Sequence, residues 1–137
     1  LPQRQVPYEV WSLGIDSKTG LLMMPECYRE LGKTKEAERI LKAVAERSLA
    51  YFDWYNSFSE SRLSSMSGDI MQQYQILGMA IEGLQKCKSR LAGVYTNRVD
   101  QLQRTAAGRV LISAMNARRA AAAAPGNGGE DEGDGDF

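Results

Sequence analysis

Tyr28-Arg29-Glu30-Leu31-Gly32-Lys33-Thr34-Lys35-Glu36-Ala37-Glu38-Arg39-Ile40-Leu41-Lys42-Ala43-Val44-Ala45 decides the architecture. A tyrosine stands four residues before a glycine and an alanine five residues after it. Leu41 and Val44 follow at the spacing of a buried helical face. The pattern ends one helix at Gly32, a residue suited to the left-handed C-terminal cap, and starts the next almost at once. Two helices joined so tightly form a hairpin, so the information here is architectural before it is chemical.

Working outward, Thr34 is the expected N-cap of the second helix, with Glu36 in its first turn where the helix dipole favours an acid. Ala37, Ile40, Leu41, Val44, Ala45, Ser48, Tyr51 or Phe52, and Tyr55 continue one apolar face. Upstream, Pro25 forbids an unbroken regular helix, because it removes a backbone donor and restricts Met24. The first helix is therefore expected to begin at Pro25 or to kink there. A third helix takes Ile70, Met71, Tyr74, Leu77, Ile81 and Leu84 to the core. Gly78 and Gly83 each cost it about 1 kcal/mol relative to alanine, which calls for a close helix contact in compensation. After a break within residues 89–93, Val94, Val99, Leu102, Ala106, Val110 and Ile112 or Ala114 predict a fourth, thinner stripe.

The predicted fold is all-α: antiparallel helical hairpins, about four helices, over residues 17–124. Residues 1–16, with Pro2, Pro7 and the alternating Tyr8 and Val10, read as an extended segment. Residues 125–137 are glycine-rich and acidic and cannot bury enough apolar surface to offset chain ordering, so a disordered tail is expected. Leu1 in place of an initiator methionine leads us to expect a fragment or a processed product. No run approaches the ~18 apolar residues that cross a bilayer.

The chain has 137 residues and 17 basic against 17 acidic side chains. Five of the acids, Glu130, Asp131, Glu132, Asp134 and Asp136, lie in residues 126–137 without a base; the remaining chain has 17 bases against 12 acids, a net +5. Lys86, Lys88, Arg90, Arg98, Arg104, Arg109, Arg118 and Arg119 face only Asp100 over their stretch. Cys27 and Cys87 are 60 residues apart, and the chain has no histidine, so no zinc or Cys–His spacing arises. Two ordinary thiols are expected, and the sequence leaves a bridge between them open.

No nucleophile motif, phosphate loop or metal-ligand cluster is present, and no cofactor is expected. Glu36 with Glu38 and Glu26 with Glu30 are the only carboxylate pairs to consider for acid–base work; both sit beside lysines and arginines and read as solvated helix faces. We therefore expect no catalysis from this segment. The densest chemistry is the run Tyr51-Phe52-Asp53-Trp54-Tyr55 with Phe58 one turn later. Four aromatics in five helical positions cannot share one internal seam, so some must meet another helix or a partner. Tyr51, Trp54, Tyr55 and Phe58 are the candidate partner-binding residues.

The Tyr28–Ala45 spacing resembles the tetratricopeptide helical hairpin. Over a longer stretch, Val6-Pro7-Tyr8, the run from Met23 to Gly32, Glu36-Ala37-Glu38-Arg39-Ile40-Leu41 and the run from Tyr51 to Phe58 resemble the soluble C-terminal region of a bacterial family common in Bacteroidetes. Those are multi-spanning membrane proteins similar to C-type glycosyltransferases and protein O-mannosyltransferases. The resemblance implies a region on the non-cytoplasmic, periplasmic side that docks its own membrane domain or a client protein, with the transferase carboxylates elsewhere in the parent. Without it, a cytoplasmic location is expected. A second reading is an independent helical interaction or nucleic-acid-binding protein. The basic stretch offers side chains for phosphate contact, and the acidic tail closed by Phe137 resembles the tails of single-stranded-DNA-binding proteins, but the strand pattern and interleaved aromatics of those proteins are missing.

Overall fold

The structure, a computed structural model, describes the backbone of residues 18–123 and the side chains of residues 23–123. The extended segment expected at residues 1–16 and the tail at 125–137 lie outside them. The described residues form six helices joined by short turns, without a strand: α1 Lys18–Glu30, α2 Thr34–Tyr55, α3 Glu60–Ser64, α4 Ser67–Lys86, α5 Leu91–Leu102 and α6 Ala106–Ala123.

Gly32 ends α1 with φ +79°. Its N–H donates to the Arg29 carbonyl at 3.0 Å and Lys33 N–H donates to Tyr28 O at 2.8 Å, the two bonds of a Schellman cap. Residues 31–33 then turn the chain so that α2 packs back on α1 as a hairpin. Thr34 is the first residue of α2 rather than its cap; Lys33 holds the cap position and no side chain bonds there. Pro25 neither starts nor interrupts α1, which runs through it. Its ring is fully buried, and that burial compensates for the hydrogen bond it cannot donate.

The central element is α2. It packs against α1, α4 and α5, which explains why Ala43, Leu49 and Ala50 are buried as well as the predicted Ala37, Ile40, Leu41, Val44, Ala45, Ser48, Phe52 and Tyr55. One cluster joins Leu41, Val44 and Leu49 of α2 to Ile76, Leu77 and Leu84 of α4 and Tyr95 of α5. A second joins Phe52 and Tyr55 to Leu63, Ile70, Ala107 and Leu111. Gly83 lets α4 approach α2 closely, for a Cβ there would lie 2.9 Å from Leu41 Cδ1. Gly78 does not serve the same purpose: it is exposed, with open space where its side chain would be.

Six helices replace the expected four for two reasons. Residues 59–66 contain the short α3, whose Ser59 hydroxyl accepts from Arg62 N–H at 3.4 Å. Five residues cannot hold a helix alone. Burial of Leu63, worth roughly 1.5–3 kcal/mol, pins it. The predicted fourth helix is two, α5 and α6, broken at residues 103–105. Thr105 caps α6 by accepting from Gly108 N–H at 3.1 Å, and the Asn56 side-chain oxygen at the end of α2 accepts from Ala107 N–H at 2.8 Å. Each helix has its own phase, so Ala92 and Tyr95 of α5 and Ala107 and Leu111 of α6 are buried, while the predicted Val94 is exposed and, of the alternatives Ile112 and Ala114, Ile112 is exposed and Ala114 half-buried.

Candidate functional site

The aromatic run closes α2. Spacing along the helix turns Phe52 and Tyr55 inward, at 0% and 2% exposure, and leaves Tyr51 and Trp54 half-buried. The chain leaves the helix at Asn56, whose N–H still donates to Phe52 O at 3.0 Å, and Ser57 Oγ donates to Trp54 O at 2.6 Å. That turn brings Phe58 back against Trp54, ring centroids 5.1 Å apart and edge to face. Tyr51 meets Trp54 at 6.3 Å, also edge to face, and both lie within stacking range of Tyr55.

The four candidate residues therefore come together, but in different roles. Tyr51, Trp54 and Phe58 form a half-exposed patch, and Tyr55 is the floor beneath it. Burial pushes the Tyr55 phenol well above its ordinary value, and Asp69 adds to the effect. Two arginines lie against its rings: Arg47, itself buried at 6% exposure, 5.2 Å from the Tyr51 ring centroid, and the exposed Arg62, 4.9 Å from that of Phe58. Sequence reasoning missed both. The signal was present, since each arginine lies four residues from its aromatic partner.

Elsewhere a few polar side chains join one helix to another. Tyr95 Oη donates to Glu46 at 2.6 Å and Arg98 pairs with the same carboxylate at 3.5 Å, tying α5 to α2. Burial first, and then the bond to Glu46, raise the Tyr95 phenol. Ser89 Oγ donates to Glu38 and accepts from Leu91 N–H at 3.1 Å, fixing the start of α5. Arg109 pairs with Glu60 at 2.5 Å, joining α6 to α3. Of the carboxylates considered for acid–base work, Glu26 and Glu36 are each held by an arginine three residues on, Arg29 and Arg39. Arg29 keeps the Glu26 carboxyl below the usual range.

Both cysteines are free; Cys27 is exposed and Cys87 half-buried, its thiol pushed up by burial. Among the described residues no cluster could hold a metal ion, and no helix is long and apolar enough to cross a membrane. An open groove of about 480 Å³ runs between α4 and α5, lined chiefly by Tyr74, Gly78, Met79, Ile81, Thr96 and Val99. Comparison with protein-family models, with curated proteins and with solved structures finds no match.

Proposed function

We propose that this chain is a non-catalytic helical docking module of tetratricopeptide-like construction, the soluble C-terminal part of a membrane-embedded, glycosyltransferase-like protein. The observation that carries the docking reading is the half-exposed patch of Tyr51, Trp54 and Phe58 with the exposed Arg62 over its Phe58 edge. Tyrosine, tryptophan and arginine are the side chains that dominate binding energy at protein interfaces, and here they are already stacked, so little rotamer freedom is lost on contact. The same run, from Tyr51 to Phe58, is the most discriminating part of the family resemblance. In this reading the contact is the parent's own membrane portion, on the periplasmic side.

Two experiments test it. The reading frame upstream of Leu1 should encode several hydrophobic spans; a frame without them removes the parent. Membrane portion expressed without this region should retain the added domain, and Trp54→Ala should weaken retention about tenfold or more. Retention indifferent to Trp54 defeats the aromatic patch as the contact.

The second reading, an independent interaction or nucleic-acid-binding protein, draws on the exposed Lys86, Lys88, Arg90, Arg104, Arg118 and Arg119. Arg98 and Arg109 are engaged with Glu46 and Glu60 and contribute less to any phosphate-binding face. Salt-dependent binding of single-stranded DNA, measured with and without residues 126–137, decides it.

A further inference from the structure

The aromatic patch lies on the track that α1 follows along α2. Three neighbours divide the circumference of α2 between them. On the side of α4, a Cβ at Gly83 would touch Leu41, and Phe52 and Tyr55 pack with Ile70. On the side of α5, Glu38 accepts from Ser89 and Glu46 from Tyr95. The remaining buried face carries Ile40, Ala43, Arg47 and Ala50 at the i, i+3, i+7, i+10 spacing, and α1 is the neighbour left to cover it. Tyr51 and Trp54 continue that face toward the end of α2.

The two helices of the hairpin differ in length. With 13 residues in α1 against 22 in α2, the last nine residues of α2, about 13 Å, have no α1 alongside. Both helices are counted from the same tight turn, so Lys18 stands level with about Arg47. The chain preceding Lys18 therefore meets α2 beside the patch. Tyr51 is about 6 Å further along the axis and Trp54 about 10 Å. The Phe58 ring follows, 5.1 Å from that of Trp54.

Residues 1–17 contain the side chains that such a surface takes. Trp11, Leu13 and Ile15 alternate with Ser12, Gly14 and Asp16, and in the extended segment predicted by the sequence they share one face, about 7 Å apart. At about 3.4 Å per residue, Ile15 comes about 10 Å beyond Lys18 and Leu13 about 17 Å, the levels of Trp54 and Phe58. Tethering at Lys18 supplies an effective concentration on the order of millimolar, so a weak contact is enough.

We infer that Trp11, Leu13 and Ile15 cover Trp54 and Phe58 as an intramolecular strap, which a protein docking at the patch must displace. The displacement rests on the docking reading; the strap does not. A partner's apparent affinity is then reduced by the fraction of molecules in which the strap is open, so release of this segment regulates the site.

The chain has two tryptophans, and Trp11→Phe leaves Trp54 as the single fluorescent reporter in the whole chain. Acrylamide quenching of Trp54 is compared between that chain and the same chain with Leu13→Ser and Ile15→Ser. The serine pair should raise the quenching constant about twofold or more by opening the strap. Helical circular dichroism should be unchanged, because both positions precede α1. Val6→Ser with Val10→Ser, on the opposite face of the segment, is the control and should leave quenching where it was. Equal quenching with and without the Leu13 and Ile15 substitutions, or the same rise in the control, overturns the strap and leaves the docking reading intact. A rise confined to the Leu13 and Ile15 variant supports the strap even where the membrane portion fails to bind, an outcome that defeats the docking reading alone.

Discussion

Replacing Gly108 by alanine should destabilise the fold more than any other single-methyl addition to a glycine of the described helices. A Cβ at this position would lie 1.9 Å from the Leu102 carbonyl oxygen, 2.7 Å from its carbon and 2.8 Å from Gln103 Cα. A carbon–oxygen contact settles at about 3.3 Å, so the overlap exceeds 1 Å and falls on backbone, which has no rotamer to escape into. Relief requires the α5–α6 corner to open. Opening it strains the Thr105 and Asn56 caps on α6, worth about 1 kcal/mol each. Forced overpacking beside Ala107 and Leu111 adds about 1–3 kcal/mol. Better helix propensity returns about 1 kcal/mol. The net loss is roughly 3 kcal/mol, a large share of the ~5–15 kcal/mol that holds a domain together. Urea unfolding followed by circular dichroism measures it; with a slope of about 1.5–2 kcal/mol per M the midpoint should fall by roughly 1.5–2 M. Gly78→Ala is the control, because its Cβ meets nothing and it should gain up to about 1 kcal/mol. A Gly108→Ala variant as stable as the parent would refute the close α5–α6 crossing.

The two left-handed caps make opposite predictions. Gly32→Ala should lose about 1 kcal/mol at φ +79°, whereas Lys88→Gly, at φ +58° in the equivalent cap of α4, should gain up to about 1 kcal/mol in the same unfolding assay. Tyr95→Phe removes the donor to Glu46 and should cost about 1–2 kcal/mol, with Glu46→Gln costing less because an acceptor remains. Alkaline pH should unfold the domain. The Tyr55 and Tyr95 phenols lie above their ordinary value of 10.0, so the folded state holds their protons more tightly than the unfolded state. That contribution is complete below about pH 10 and is lost as the pH rises through the folded-state values. Tyrosinate absorbance should show these two rings titrating only together with loss of helix.

The hairpin was legible because Gly32 and the Ala37–Tyr55 face are local signals: a cap residue and a 3.6-residue period, each complete within one element. The same holds for the close contact at Gly83. The break before α6 was not legible in this way. Its causes are non-local, namely the Asn56 side chain 51 residues away and the backbone approach at Gly108, while residues 103–105 contain neither proline nor glycine. Reading across that break carried the phase of one helix into the next and placed Val94, and Ile112 or Ala114, inside. The short α3 escaped because its one core residue, Leu63, gives no period. At the candidate site the aromatic run was evident from composition, but the division of labour within it was not. Tyr55 goes inside because α4 and α6 arrive from that side with Ile70 and Leu111, a fact no local window contains.

The central proposal is that the aromatic end of α2 docks this domain onto the membrane portion of the proposed parent. The most direct measurement is a calorimetric titration of the domain into that portion, purified in detergent, with Trp54→Ala beside the unaltered chain. The account predicts saturable one-to-one binding, weakened about tenfold or more by the substitution, while the unfolding midpoint of the half-buried Trp54 variant stays close enough to the parent for the domain to remain folded. Absence of binding by the unaltered chain, or equal binding by both, would contradict it.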